Sequence, residues 1–293
     1  MWFILALLSA VLYSFRGVLE KLIVGRVDRY ILGLSIRLFA LPFFFVPFII
    51  KPELFVPLTS LPRQFWIVVI LTSFIFTPLE TYFYYKSIKD EEISLALPIL
   101  SLSPVMTIIF AVLFLHEFPT VFGAIGVVTI LFGVYALKIG HARHGLLEPL
   151  LHLSRNKSVR LMAIVAVSLA LGSILDKTAV KASNAYMYAL FNYICVSFAL
   201  FIFAGVKARQ HLGQIKTHFK AFSVVGAVVA GYTLLYLLAL QVGTTAYVVA
   251  IRNASLLISI LLGVFWLKEK DLRTKLLAGS VIVAGLILIK VFG

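Results

Sequence analysis

The chain has 293 residues, of which 62% are hydrophobic and 13% charged, and its formal net charge is +14. This apolar content, with a mean hydropathy of +1.06, exceeds what a soluble domain can bury and excludes an ordinary water-soluble protein. The lysines and arginines lie in short gaps between apolar runs, a pattern that favours anionic membrane lipids over nucleic acid as the partner. The single cysteine, Cys195, can form no internal disulfide.

Runs of about 20 apolar residues are long enough to cross the hydrocarbon core of a bilayer as helices. The first run is longer than the core of a signal peptide and lacks a basic leader, so we interpret it as a retained helix. We expect an all-α membrane protein with ten transmembrane helices, divided into residues 1–140, a basic linker 141–158, and residues 159–293. The predicted helices lie near residues 2–24, 30–50, 65–88, 93–115, 121–137, 159–180, 186–206, 222–241, 245–267 and 274–292.

The two halves of the chain carry matching residues at a nearly constant offset, which indicates an internal duplication. Because each half has an odd number of predicted helices, the second half enters the membrane from the opposite side and the two repeats are inverted. Inverted repeats are typical of secondary transporters. The matched pairs are Glu20 with Asp176, Lys21 with Lys177, Tyr84 with Tyr236, Glu117 with Glu269, Gly133 with Gly285 and Lys138 with Lys290.

The fourth and fifth predicted helices carry a family pattern that runs from Leu95 through Pro104 to Leu115-His116-Glu117. The second half contains the related stretch AIRNASLLISILLGVFWLKEK, which includes Arg252 and Ser255. Over the whole chain, this pattern resembles the EamA-like branch of the drug/metabolite transporter superfamily. The resemblance implies a ten-helix basket in which helices one, three, four, six, eight and nine line a central cavity, and alternating access moves the two halves around it.

The loop charges predict an orientation in the membrane. Most of the 26 lysines and arginines fall on one side of the predicted helices, and this side should be cytoplasmic. Lys157 then lies in the cytoplasm, and Lys290 and both termini lie outside. The family resemblance implies cytoplasmic termini instead, but we retain the charge-based orientation because the asymmetry is spread over five loops.

Three arginines lie near the middle of predicted helices, where an uncompensated charge is costly. Arg16 and Glu20 are one helical turn apart and can pair within one helix. Whether such pairs are static or take part in coupling stays open at this point. We predict two compensating clusters: Arg16 and Arg37 with Glu20 and Glu80, and Arg252 with Asp176.

Arg252, with Asn253 and Ser255, lies on a helix that the resemblance places at the cavity, and a bidentate guanidinium there suits a substrate carboxylate or phosphate. Tyr84 and Tyr236 occupy matching positions in the two repeats. We predict both as cavity-lining residues, with core or interfacial packing as the alternative. Glu80 joins this set of candidate substrate-binding residues.

All ten prolines lie between Pro42 and Pro149, and Pro78, Pro98 and Pro104 are predicted hinges, with fixed kinks as the alternative. Glycines such as Gly126 and Gly285 are predicted to let helices five and ten pack closely. For the histidines of the basic linker, at positions 141, 144 and 152, we predict a solvated or lipid-facing segment rather than a metal site, and residues 146–153 could lie along the membrane surface. No catalytic, nucleotide-binding or metal-binding motif occurs, so we predict no enzymatic activity and no cofactor.

The leading hypothesis is a monomeric secondary transporter of small polar metabolites, such as amino acids or related organic acids and amines. Export is the expected direction of transport. The protein would lie in a prokaryotic plasma membrane, with protons as a candidate coupling ion through Glu80 or Asp176. One alternative is a nucleotide-sugar or other solute exchanger without ion coupling. Another is a membrane protein that handles lipids or binds partners without transporting solutes.

Overall fold

The computed structural model describes residues 1–24, 26–88, 97–139, 156–258 and 272–293. Within these ranges the regular elements are all helices. Short 3₁₀ or α turns at Pro52–Leu54, Leu58–Ser60, Arg209–His211 and Gln214–Thr217 lie in connections. The main helices are α1 (Trp2–Val24), α2 (Arg29–Ile50), α3 (Arg63–Ile70, Leu71–Phe76 and Thr77–Ile88), α4 (Leu97–Leu102, Ser103–Phe110 and Ala111–Leu115), α5 (Val121–Ile139), α6 (Lys157–Ala182), α7 (Ala185–Lys207), α8 (Phe219–Val242), α9 (Thr245–Asn253) and α10 (Leu272–Phe292).

Each predicted span contains one of these apolar helices, and the helix ends lie within a few residues of the predicted ends except in α9, which ends at Asn253 where the sequence predicts 267. In the described ranges, four apolar helices of 10–17 residues lie at Trp2–Gly17, Val121–Leu137, Thr245–Ile258 and Leu277–Phe292. The chain is therefore an integral membrane protein with an all-helical fold, while ten complete crossings remain a prediction. Six helices in the described ranges are long and apolar enough to span a membrane: Tyr30–Ile50, Arg63–Tyr84, Pro98–Leu115, Lys157–Ala182, Ala185–Lys207 and Phe219–Val242.

The chain forms two compact units, and each draws on both halves of the sequence. Unit 1 comprises Met1–Pro78 and Leu175–Val242, and unit 2 comprises Leu79–Ile174 and Gly243–Gly293. The chain passes from one unit to the other within α3, after Pro78, and within α6, after Ile174. The predicted division into residues 1–140, 141–158 and 159–293 concerns the sequence repeats and stays a prediction. Residues 140–155, with the three linker histidines, lie outside the described part, as do residues 259–271 with Glu269.

The three prolines predicted as hinges lie where the helix type changes. Pro78 follows the π-helical turn Leu71–Phe76, in which the Thr77 N–H donates to the Thr72 carbonyl. Pro98 lies in the 3₁₀ segment Leu97–Leu102, and Pro104 is the second residue of the α-helical segment that follows. Proline is tolerated in the first turn of a helix because its missing N–H would have no intrahelical partner there. These prolines therefore begin new helical segments, and hinge motion at them stays a prediction.

In unit 2, α5 and α10 pack closely through glycines. A Cβ atom on Gly285 would lie 2.7 Å from the Gly126 carbonyl oxygen, and one on Gly133 would lie 2.6 Å from Ile282 Cγ1. Real Cβ atoms do not approach backbone this closely, so the two helix backbones require glycine at their crossing. Small residues at such crossings are typical of membrane helices.

Candidate functional site

Unit 1 holds a group of charged and aromatic side chains, which we call the arginine cluster: Tyr13, Arg16, Glu20, Arg37, Tyr193, Tyr232 and Thr233. Arg16 Nε donates to Glu20 Oε1 in an ion pair one helical turn apart on α1. Arg16 Nη1 donates to the Tyr232 hydroxyl on α8 at 2.9 Å. The structure thus brings Arg16 and Glu20 together, as the i, i+4 spacing predicts.

The rings of Tyr13 and Tyr232 flank the Arg16 guanidinium. Its central carbon lies 5.5 Å from the centroid of the Tyr13 ring and 5.7 Å from that of the Tyr232 ring. The two rings contact each other edge to face, with centroids 5.1 Å apart. Cation–π attraction therefore adds to the ion pair in holding Arg16. The side chains of Arg16 and Glu20 are 27% and 22% exposed, so this charged pair is not sealed inside the helix bundle.

Arg37 brings a second guanidinium to the cluster from α2, which packs against α7 and α8. The side chain is half-buried. Phe44, two helical turns further along the same face of α2, packs on the Tyr193 ring with centroids 4.6 Å apart, so Arg37 lies on the face of α2 that meets α7. There its charge acts on the Tyr193 and Tyr232 hydroxyls. The Tyr193 hydroxyl lies 2.9 Å from Thr233 Oγ1, with which it shares a hydrogen bond. Among the described residues, no carboxylate forms an ion pair with Arg37. The cluster therefore holds two guanidinium groups and one carboxylate.

The arginine cluster lies near the middle of its helices. Arg16 lies three residues beyond the midpoint of Trp2–Val24, and Arg37 lies two to three residues before the midpoint of Arg29–Ile50. With a rise of about 1.5 Å per residue, both Cα atoms lie within about 5 Å of their helix midpoints along the axis. Charges at this depth are rare in membrane helices and mark candidate functional sites.

A second polar group in unit 1, the aspartate cluster, is formed by Thr72, Asp176, Tyr188, Asn192 and Tyr236. The Tyr188 hydroxyl donates to Asp176 Oδ1 at 2.6 Å, and the Tyr236 hydroxyl donates to Asp176 Oδ2 at 3.5 Å. Both tyrosines are buried, and they reach the carboxylate of α6 from α7 and α8 respectively. Two hydroxyl donors thus hold the Asp176 carboxylate within the spanning helices.

The π-helical turn of α3 contributes to the aspartate cluster. Asn192 Nδ2 donates to Thr72 Oγ1 at 2.8 Å, and the Tyr188 hydroxyl lies 3.4 Å from the same oxygen. The neighbouring Ser73 hydroxyl donates to the Asn192 backbone carbonyl at 3.3 Å. π turns are frequent at functional sites. The π turn before Pro78 is the part of α3 that supplies these polar contacts.

Lys177, next to Asp176 in sequence, is 3% exposed, and its ammonium donates to the Leu240 backbone carbonyl. This contact joins α6 to the last turn of α8. Buried lysines in membrane helices are expected to pair with carboxylates or backbone carbonyls, and Lys177 follows this rule.

In unit 2, Glu80 lies on α3 and faces a small-residue stretch of α6. Its Oε1 accepts a hydrogen bond from the Ser168 hydroxyl at 3.1 Å, and a Cβ on Gly172 would lie 3.7 Å from the same oxygen. Tyr84, one turn further along α3, packs against the buried apolar core around Met162. The structure thus gives Tyr84 a packing contact, whereas Tyr236, its counterpart in the other repeat, reaches a carboxylate.

The residues predicted around Arg252 lie at the end of α9. Arg252 is half-buried and Ser255 is buried, and each already has an interaction partner. Asn253 Nδ2 donates to the Val249 carbonyl of its own helix at 3.0 Å, which uses one of its two donors. The predicted pairing of Arg252 with Asp176, and that of Glu80 with Arg16 and Arg37, join residues of different units and stay predictions.

Glu117, whose role the sequence leaves open, caps a helix. Its Oε2 accepts a hydrogen bond from the Thr245 N–H at the first residue of α9, at 2.8 Å. His116 before it adopts a left-handed conformation, with φ 53°, which ends the π-helical turn Ala111–Leu115. A carboxylate at a helix N-terminus satisfies a free backbone donor and opposes the positive end of the helix dipole.

Seven residues of the two clusters lie beyond the sequence-based candidates. On α7 the sequence offers a signal, because Tyr188, Asn192 and Tyr193 interrupt an otherwise apolar run at a spacing of about one helical turn. Thr72 and Thr233 give no such signal, since single threonines are common in membrane helices. The full set beyond the candidates is Tyr13, Thr72, Tyr188, Asn192, Tyr193, Tyr232 and Thr233.

Comparisons with known proteins agree with this architecture. The model of the EamA-like transporter family matches residues 1–138 and 156–291, which correspond to the two repeats. A protein known from its crystal structure is 15% identical, with a TM-score of 0.76, and the similarity covers 98% of this chain and 95% of that one. At this identity the likeness concerns the fold alone. No curated protein sequence matches the chain. The family match spans nearly all of the chain in two copies, and the protein therefore belongs to the EamA-like transporter family.

Proposed function

We propose that this protein is a secondary transporter that exports small polar metabolites, such as amino acids or related organic acids and amines, across a prokaryotic plasma membrane by alternating access. The observation that carries the proposal is the arginine cluster. It holds charged and hydroxyl groups near the middle of the helices of unit 1, where such groups are costly unless they serve a polar ligand or pathway. The partial exposure of Arg16 and Glu20 leaves them accessible to a small molecule.

The chemistry of the described polar groups suits an amino acid or organic acid. Guanidinium groups bind carboxylates through charge-assisted hydrogen bonds, and tyrosine rings and carboxylates bind ammonium groups. The candidates from the sequence, Arg252 with Asn253 and Ser255, belong to this proposal as further solute contacts in unit 2. Asp176 and Glu80 are the carboxylates proposed for proton coupling.

Reconstitution into liposomes tests the proposal. Vesicles that contain the purified protein and an unlabelled amino acid should accumulate the same labelled compound by exchange, and protein-free vesicles should not. A panel of amino acids, monocarboxylates, amines and nucleotide sugars covers the alternative solute classes. The exchange should saturate with solute concentration, as expected for a binding site.

The outcomes separate the function classes. Saturable exchange of an amino acid, organic acid or amine supports the proposal, and exchange of nucleotide sugars alone favours the exchanger alternative. Transfer of a labelled phospholipid without flux of any panel member would overturn transport in favour of lipid handling. Arg252→Ala should abolish flux while the protein still inserts and folds; unchanged flux would remove Arg252 from the proposed contacts.

A further inference from the structure

We propose that Arg37, together with the hydroxyls of Tyr193 and Tyr232, forms a subsite that binds the carboxylate of the transported solute. The inference rests on the proposed function, since it assigns one part of the solute to one part of the arginine cluster. It differs from the sequence-based hypothesis, which gives this role to Arg252.

The charge balance of the arginine cluster is the first argument. Arg16 and Glu20 form an ion pair and neutralise each other. Arg37 adds a positive charge for which the described residues supply no carboxylate within ion-pair distance. A monoanion at this position would complete the balance, because two anions would then face two cations.

The available hydrogen-bond donors are the second argument. The Tyr232 hydroxyl accepts from Arg16 Nη1, so its own O–H remains able to donate to another acceptor. The Tyr193 and Thr233 hydroxyls share one hydrogen bond, which uses one of their two O–H donors and leaves the other. The Tyr193 hydroxyl also interacts with the Tyr232 hydroxyl, so one O–H of the three remains and joins the N–H groups of Arg37 as a donor for an anion.

The geometry of a guanidinium is the third argument. Arginine presents its donors in a planar fork that matches the two oxygens of a carboxylate. Arg16 has two of its nitrogens engaged, by Glu20 and by Tyr232, and lies between two aromatic rings. Arg37 has no such contacts among the described residues, so its fork is available for a bidentate contact.

Matched pairs of acids and amides test the inference. The probes are L-leucine, L-phenylalanine and lactate, each compared with its amide, in exchange assays with reconstituted protein and in thermal-shift titrations of the detergent-purified protein. The wild type should bind and exchange an acid in preference to its amide. Arg37→Gln should lower the apparent affinity for that acid by about ten- to a hundredfold, as expected for the loss of a charge-assisted contact, and should change the affinity for the amide little.

Arg63→Gln provides the matched control, because it removes an exposed arginine at the start of α3. It should retain the wild-type ratio of acid to amide affinity. Tyr193→Phe deletes only one hydroxyl and should lower acid affinity by a smaller factor, about three- to tenfold. If Arg37→Gln does not fold, Arg37→Lys retains the charge without the fork and should weaken acid binding while the preference over the amide persists.

The outcomes distinguish this inference from the proposed function. Acid transport by the wild type with an unchanged acid-to-amide ratio in Arg37→Gln would overturn the subsite and leave the function standing. A lower melting temperature of Arg37→Gln with an unchanged ratio would identify a purely structural arginine. Equal use of acids and amides by the wild type would also overturn the carboxylate assignment. No binding or flux of any probe in the wild type would overturn the proposed function, and the subsite with it.

Discussion

The Tyr188 hydroxyl donates to the Asp176 carboxylate at 2.6 Å, a contact between α7 and α6 inside unit 1. Tyr188 is 2% exposed, so water cannot replace this hydrogen bond when it is removed. The pair therefore ties two spanning helices together at a polar point in an apolar bundle. Buried polar pairs of this kind are costly when only one partner remains.

We expect Tyr188→Phe to destabilise the protein by about 1–3 kcal/mol, because Asp176 loses its shorter hydroxyl contact without any change in apolar packing. The measurement is unfolding in mixed detergent micelles, followed by helical circular dichroism. Tyr186→Phe is the matched control, since Tyr186 lies on the same helix and has no hydrogen bond among the described contacts of its hydroxyl. Equal stability of the two variants would contradict the role given to the Tyr188 contact.

The Arg16–Glu20 pair allows a test between a static ion pair and a functional one. Glu20→Gln should destabilise the protein, because it leaves a guanidinium without its counterion in the middle of α1. The double variant Arg16→Gln/Glu20→Gln should recover much of that stability, since the uncompensated charge is gone. If the pair serves the solute, as we propose, the double variant stays inactive in liposome exchange. Recovery of both stability and flux would show a static pair.

The Glu117 cap predicts a smaller and more local effect. Glu117→Ala should lower stability by about 0.5–2 kcal/mol, because the Thr245 N–H loses its acceptor at the start of α9. Glu117→Gln retains an acceptor oxygen and should lose less. Glu53→Ala removes an exposed acidic residue from a connection and serves as the control. A loss for Glu53→Ala as large as that for Glu117→Ala would contradict the capping role.

The crossing of α5 and α10 predicts opposite effects for two glycine substitutions. In Gly285→Ala the new Cβ would lie 2.7 Å from the Gly126 carbonyl oxygen, so the helices must move apart and the melting temperature should fall. In Gly205→Ala, on α7, the Cβ has no atom within 4 Å, and helix propensity favours alanine by up to about 1 kcal/mol. A stable Gly285→Ala variant would contradict the close approach of the two backbones.

The sequence predicts the helices well and the polar contacts only in part, for a physical reason. Long apolar runs must become helices in a bilayer, because every backbone polar group needs an internal partner there. Which side chains meet depends instead on how helices rotate against one another, and this is not encoded in hydropathy. Arg16 and Glu20 are predictable as a pair because they share one helix, whereas Asp176 reaches Tyr188 and Tyr236 on two others. The sequence predicts Arg37 only as a member of a compensating charge cluster, and its proposed role as a solute contact depends on its neighbours on other helices.

Membrane orientation provides the last prediction. The positive-inside rule places Lys157 in the cytoplasm and Lys290, with both termini, outside. Single cysteines at these two exposed positions, in a Cys195→Ser background, can be labelled with a membrane-impermeant maleimide in intact cells and after lysis. Position 290 should react in intact cells, and position 157 only after lysis. The background protein without an added cysteine should not react in either condition. The reverse pattern would place both termini in the cytoplasm and would contradict the orientation predicted from the loop charges.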